Sequence, residues 1–294
     1  MAELLAQCTT LRLGGPAARF VEATTEDALV ETVRAADETG EPLLLVAGGS
    51  NLVVADEGFP GTVLGIATRG VSVEQDDCSG ATVTVAAGES WDALVERAVD
   101  EGWVGVEALS GIPGSVGATP IQNVGAYGQE VAETIASVRC WDRQERVVRT
   151  IAAADCGFGY RTSRFKRDPG RYLVLTVTFQ LRLGDLGAPV RYAELARTLG
   201  VEPGERVPAG KVRDAVLGLR RGKGMVLDDE DHDTWSAGSF FTNPLLAPEQ
   251  AALLPDDAPR WEQPDGRVKT SAAWLIERSG FTKGYGNDRV SLST

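Results

Sequence analysis

The chain has 294 residues, 43% hydrophobic and 24% charged, and a formal net charge of −13. That length leaves room for two or three domains with cores of their own, and the composition is that of an ordinary soluble globular protein. So large an excess of acid excludes a general binder of nucleic acid or of a membrane surface, both polyanions. An anionic ligand has to be met locally, by backbone dipoles and a few placed cations.

The four cysteines (Cys8, Cys78, Cys140, Cys156) form no C-x-x-C pair and no zinc spacing, and the single histidine, His232, rules out a multi-histidine centre. No metal is expected. The N-terminus lacks the basic and apolar regions of a signal peptide, and no run reaches membrane-spanning length. Together with scattered, reduced thiols this predicts a cytoplasmic protein.

Taken in order, Thr24-x-x-Asp27 reads as a capping box opening a helix. Leu29, Val33 and Ala36 lie on one face of it, and Gly40 stands past its end. The apolar run Leu43 to Val46 predicts a short buried strand. It empties into Ala47-Gly48-Gly49-Ser50-Asn51, which would leave free N–H groups at a strand end. Such a loop is either a phosphate site or a plain β-turn. It is neither G-x-G-x-x-G nor a P-loop, and the nearest P-loop lookalike, Gly218 to Gly224, lacks the spacing and the final hydroxyl.

Thr82 to Val85 alternates as a strand, and Ser90 can cap a helix bearing Trp91, Leu94, Val95 and Ala98. Then comes LSGIPGSVGATPIQNVGAYGQ, Leu109 to Gln129, with five glycines, two prolines and no charge. A loop this long inside a compact domain is more often functional than incidental. Its amides, with Ser110, Ser115, Thr119, Gln122 and Asn123, offer many donors and no cation, which suits a pyrophosphate or a flavin ring edge. A glycine-rich structural turn is the competing reading.

Ser137 to Trp141 and Arg146 to Ile151, around Asp142-Arg143-Gln144-Glu145, predict a hairpin. In Phe158 to Lys166, aromatic and basic residues alternate. This is either a solvated basic turn or a site at which Arg161 pairs bidentately with a carboxylate. Tyr172 to Leu183 is the clearest strand, with Leu173, Leu175, Val177, Phe179, Leu181 and Leu183 expected on one face. Composition shifts near Gly184, and Val201 to Gly210 suggests a boundary. A helix bearing Val212, Ala215, Val216 and Leu219 follows and ends in Arg220, Arg221 and Lys223. Leu227 to Asp233, with His232, reads as a solvated acidic loop. Ser239 lies in no nucleophile elbow and has no histidine base nearby, so it is not read as a nucleophile, but it can donate a proton. A last helix spans Ser271 to Arg278.

Four stretches, AGGSNLV, GIPGSVGATPIQNVGAYG, YRTSRFK and GSFFTNP, in this order and at these separations, closely resemble the UDP-N-acetylenolpyruvoylglucosamine reductase family, flavoproteins of bacterial cell-wall synthesis. The resemblance runs from Thr9 to the RVSLST end. It implies an α+β protein: a two-lobed FAD-binding fold of the vanillyl-alcohol-oxidase (PCMH) type, lobes 1–70 and 71–200, and a smaller α+β substrate-binding domain, 201–294. FAD would lie between the lobes. Gly48, Gly49, Ser50 and Asn51 match the family's first pyrophosphate loop. Gly114, Ser115, Val116, Gly117, Asn123, Gly125 and Ala126 match the second flavin-contacting stretch.

The reaction so implied has two halves: NADPH reduces FAD, and hydride then passes to C3 of the enolpyruvyl group of a UDP-sugar. Arg161 matches the cation that draws charge into the substrate carboxylate. Ser239 matches the proton donor to C2. Asn243, Lys269 (less securely aligned, like Trp261) and, as in the type I branch, Tyr192 match substrate-side positions. Such a protein is expected to be a monomer with small-molecule partners only. Family members continue past SLST through a segment carrying a catalytic glutamate. The expectation is therefore of a C-terminally truncated chain or an impaired reductase that still binds flavin and UDP-sugar.

Overall fold

The computed structural model describes residues 4–293 and divides into two units, one ending at Ser236 and the other starting at Ala237. The first unit begins with strand β1 (Ala17–Ala23), helix α1 (Glu26–Thr39), β2 (Leu43–Val46) and β3 (Phe59–Ile66). The strands form a parallel sheet in the order β1-β3-β2. Helix α1 supplies the crossover that parallel strands require. Its cap is Thr25 rather than Thr24, with Oγ1 accepting the Ala28 N–H at 3.3 Å. Leu29, Val33 and Ala36 are buried as the spacing predicts, and Gly40, at φ 69°, closes the helix in the left-handed conformation. The central strand β3 has no clear sequence signature, because Pro60, Gly61 and Gly65 interrupt its apolar pattern. Gly61 is required there: a Cβ would fall 2.1 Å from the Pro42 carbonyl oxygen.

The second lobe contains β4 (Val71–Asp76), β5 (Gly80–Ala86), α2 (Trp91–Asp100), β6 (Trp103–Val104), β7 (Gly125–Ala126), β8 (Gln129–Glu130), β9 (Ile135–Asp142), β10 (Val147–Ala152), α3 (Arg164–Arg167) and β11 (Tyr172–Leu183). An antiparallel sheet runs β10-β9-β11-β5-β4, with β6 paired to the far end of β11. Helices α4 (Ala193–Leu199) and α5 (Ala209–Arg221) belong to the same unit. Leu195, Ala196, Val212 and Val216 bury against Ala108 and Val190.

Strand β11 has the bounds the sequence predicts, but not its single apolar face. Its register on β9 shifts between Val174 and Thr176. An extra residue there reverses which side chains point to which face. Leu173 and Leu175 consequently pack with Ala23, Leu29, Val33, Leu64 and Trp141, tying the lobes together. Val177, Phe179 and Leu181 enter the main core with Val83, Val85, Trp91 and Val138. One strand thus serves two cores.

The unit from Ala237 onward has β12 (Leu245–Leu246), α6 (Pro248–Ala251), β13 (Trp261–Glu262), β14 (Val268–Lys269) and α7 (Ala272–Arg278), with a small antiparallel sheet ordered β12-β14-β13. Ser271 caps α7, its Oγ accepting the Trp274 N–H at 3.1 Å. Among the described residues, no helix is long and apolar enough to cross a membrane.

Candidate active site

The two glycine loops meet. Residues 47–51 leave the end of β2, and a Cβ added at Gly48 would stand 2.5 Å from Gly114 Cα and 2.9 Å from its carbonyl carbon. Any side chain at Gly48 would therefore drive the loops apart. Gly49, at φ 60°, is equally constrained: a Cβ would fall 1.8 Å from the Cys8 carbonyl oxygen. Ser50 faces Gly114 across the same seam, whereas Asn51 is exposed.

The long loop is pinned from below. Gly114 O accepts the Trp91 N–H at 3.0 Å, the Val116 N–H donates to Glu89 O at 2.8 Å, and the Gly117 N–H donates to Ala87 O at 2.9 Å. Those amides are spent on the shape of the loop. Further back, the Gly111 peptide is held at both ends. Its N–H donates to Asp92 Oδ1 at 2.6 Å, and its carbonyl accepts Arg220 Nε–H at 3.1 Å. Arg213 forks onto Asp92 at 2.7 and 3.1 Å. Burial pushes the Asp92 carboxyl up, but the hydrogen bonds from Arg213 and Gly111 prevail and hold it below the usual range.

Ser115 sits at the junction, 5% exposed, and its hydroxyl has no hydrogen-bond partner among the described residues. An orphaned buried hydroxyl costs about 1–3 kcal/mol, so such a group points to a partner that the chain itself does not supply. With the Cβ-free seam at Gly48 and Gly114, it fits a polar cofactor laid across the two loops.

The far end of the loop is joined to the Tyr-Arg turn. Asn123 is 1% exposed, at φ 48°. Its Nδ2 donates to Glu130 Oε2 (2.7 Å) and to Gly159 O (3.1 Å), and its Oδ1 accepts the Ala132 N–H at 3.1 Å. The turn itself is closed by reciprocal Gly159–Thr162 bonds of 3.0 and 3.2 Å. Arg161 is its third residue, at φ 52°, a position that glycine or asparagine usually takes. Its guanidinium donates to the carbonyl of Gly125, whose neighbour Ala126 continues the short strand β7. Among the described residues, the non-glycine positions with positive φ are Arg12, Asn123, Tyr127, Arg146 and Arg161, and three of these lie here. Strain held together in one place is a mark of a working site.

Tyr192 is exposed and stands edge-on to Tyr127, ring centroids 5.6 Å apart. Lys223 approaches the Tyr127 ring at 5.8 Å and pairs with Glu194 at 2.8 Å. Sequence reasoning missed Tyr127 as a separate feature, although its place in GAYG was a signal. It also missed Asp92 and Arg213, which no motif marks. In the unit from Ala237 onward, Ser239 is exposed and flanked by exposed Phe240 and Phe241. Asn243 Oδ1 accepts the Ala272 N–H at 3.0 Å, and Lys269 lies 5.9 Å from the Trp261 ring centroid.

The fold and the paired loops agree with a family model for the FAD-binding domain, which matches residues 17–151. The class is accordingly that of an FAD-dependent oxidoreductase with a two-lobed α+β flavin fold and a smaller α+β domain. Residues 229–294 match the model of the C-terminal domain of UDP-N-acetylenolpyruvoylglucosamine reductase. A reductase of that name from Cutibacterium acnes is 60% identical over 96% of this chain and 74% of its own length. One from Streptomyces avermitilis is 57% identical over 99% and 81%. The crystal structure of the Thermus caldophilus enzyme, 25% identical, superposes with a TM-score of 0.65 over 100% of this chain and 84% of that one. The chain belongs to the UDP-N-acetylenolpyruvoylglucosamine reductase family.

Proposed function

We propose that this protein reduces the enolpyruvyl group of UDP-N-acetylglucosamine-enolpyruvate to give UDP-N-acetylmuramate, with NADPH as reductant, in the synthesis of peptidoglycan precursors. The observation that carries this reading is Arg161: a cation held on a strained turn, with its guanidinium against a carbonyl of the second glycine loop. Bound FAD would supply the hydride, taken from NADPH and delivered to C3 of the enolpyruvyl group. Gly48, Gly49, Ser50 and Asn51 would cradle the cofactor from the first lobe, and Gly114 to Gly117 with Asn123, Gly125 and Ala126 from the second. The Ser115 hydroxyl, buried without a partner among the described residues, would find one in the bound cofactor.

Addition at C3 builds negative charge at C2 and on the substrate carboxylate. Arg161 would neutralise it through a planar, bidentate pair. The carbanion at C2 is an enolate of that carboxylate and basic enough to take a proton from the Ser239 hydroxyl, an ordinarily feeble acid. Ser239 is exposed and free of a helix or strand, so its hydroxyl can meet a ligand. Tyr192, Asn243 and Lys269 would hold the nucleotide sugar, with residues 201–294 as the substrate side. Both reactants are cytoplasmic, and that is where this reading places the protein.

The test is direct. Purified protein should be yellow, bleach anaerobically with NADPH, and recover its flavin absorbance when the enolpyruvyl nucleotide is added, with stoichiometric UDP-N-acetylmuramate as product. A flavin that stays bleached after that addition rejects the reading.

A further inference from the structure

Glu107 is fully buried, 0% exposed, in the turn that leads into the long glycine loop. Among the described residues no Lys or Arg pairs with it. Its partners are three N–H groups from three separate segments. Gly105 donates to Oε2 at 2.7 Å, while Gln129 Nε2 (2.9 Å) and Ala188 N (2.5 Å) both donate to Oε1. Gln129 is oriented in turn, its Oε1 accepting the Ala108 N–H at 2.7 Å. Gly187 comes so close that a Cβ there would lie 2.9 Å from Glu107 Oε1.

Two of those donors flank the tyrosine pair. Gln129 lies just beyond Tyr127, and Ala188 just ahead of Tyr192. The two backbones also touch at Gly128, where a Cβ would be 3.1 Å from Arg191 Cβ and 3.5 Å from Tyr192 N. One carboxylate therefore fixes where the strand β7–β8 turn stands relative to the β11–α4 connection. The 5.6 Å edge-on contact of Tyr127 and Tyr192 is the visible result. We propose that Glu107 is a positioning residue for substrate binding: its buried carboxylate sets the spacing of Tyr127 and Tyr192 at the nucleotide-sugar side of the site. This rests on the proposed role of Tyr192.

The chemistry asks for a carboxylate and not merely a polar group. Glutamine has one acceptor and one donor end. If its oxygen serves Gln129 and Ala188, its NH2 faces the Gly105 N–H. If it is turned over, its NH2 faces the Ala188 N–H. Flipping Gln129 in response would set that NH2 against the Ala108 N–H. Every orientation leaves donor against donor at a fully buried position, so one of the three segments must shift.

The test compares Glu107→Gln, Tyr192→Ala and the double variant in FAD-loaded protein. Loss of one such buried bond predicts a rise on the order of tenfold in KM for the enolpyruvyl nucleotide in Glu107→Gln. Flavin content and the rate of flavin reduction at saturating NADPH should stay within about twofold of wild type. In the Tyr192→Ala background, Glu107→Gln should add no further rise, because the group it positions is gone. If Glu107→Gln cannot be purified with FAD, Gly187→Ala carries the test, since it crowds Oε1 while leaving the carboxylate itself in place. It should raise the same KM, and only while Tyr192 is present. An unchanged KM, or a rise that multiplies in full with that of Tyr192→Ala, overturns the proposal. If the wild type itself fails to turn over the nucleotide, the functional reading falls and this inference with it. Normal wild-type turnover with an unmoved KM in the variants defeats this inference alone.

Discussion

The two glycine loops reach the same seam by different physics. The first, residues 47–51, is short and takes its shape from exclusion: Gly48 and Gly49 pack against Gly114 and Cys8 at distances no Cβ tolerates. The second, 109–129, is long and takes its shape from attachments. Asp92, Arg213 and Arg220 hold its start, Glu107 and Gln129 its base, and Asn123 and Arg161 its far end. A loop shaped by exclusion fails all at once when a methyl group is added. A loop held by many polar contacts fails in parts, each with its own readout. In the proposed reading, the catalytic and substrate-side groups stand on the second loop's attachments and the first loop remains a plain cradle.

The largest effect is expected at Arg161, where the proposed function joins the second loop's framework to the chemistry. Arg161→Lys keeps a charge but loses the planar fork and the bond to Gly125. A fall in kcat of about 100- to 1,000-fold is expected, as for the loss of one preorganised charge-stabilising donor. Flavin content should hold, because the loops keep their seam. Steady-state turnover beside the 450 nm flavin absorbance checks this, and a kcat within about threefold of wild type would remove Arg161 from the chemistry.

Gly48→Ala tests the opposite arm of the comparison. The added Cβ meets backbone, not a movable side chain, so the strain of overpacking, about 1–3 kcal/mol, falls on the seam itself. The expected outcome is FAD lost on gel filtration with the fold intact by far-ultraviolet circular dichroism. Gly40→Ala is the control at a glycine with open space around it, carrying the left-handed φ penalty without a clash. FAD retention by Gly48→Ala at the level of Gly40→Ala would break the distinction between the loops.

The same contrast explains what could be read from the chain beforehand. Both loops were legible, because glycine runs at a strand end and an uncharged 21-residue stretch announce themselves locally. So were β11, the β9–β10 hairpin and α5, whose periodicities are unbroken. Strand β3 was not, since Pro60, Gly61 and Gly65 interrupt its pattern and the close approach of Gly61 to Pro42 is visible only in space. The bulge in β11 leaves no mark in composition, so an alternating pattern was assigned to one face when two cores share it. Asp92 and Glu107 stand in no motif that marks them as buried or paired. Their partners, Arg213 and Ala188, lie far along the chain, and no spacing rule joins them.

Asp92→Asn should give the smallest effect and the most informative pH dependence. The carboxylate is held below its ordinary range in the folded chain, so it binds protons less readily there than when unfolded. Its contribution is therefore present above the unfolded carboxylate pKa, near about 4, and is lost as pH falls through the lower folded value. The side chain remains 36% exposed, and Arg213 keeps a second partner in Glu96 at 3.3 Å. Solvent screening and that substitute limit the expected loss to about 1 kcal/mol at pH 7. Urea midpoints of the two proteins, followed by tryptophan fluorescence, should differ at pH 7 and converge as pH drops below the carboxylate range. The enolpyruvyl nucleotide KM should move less than in Glu107→Gln, because Gly111 anchors the start of the loop, remote in sequence from Tyr127. A gap between midpoints that persists unchanged into acid would show that Asp92 acts by shape rather than by charge. The second loop would then depend on packing at that end, as the first does throughout.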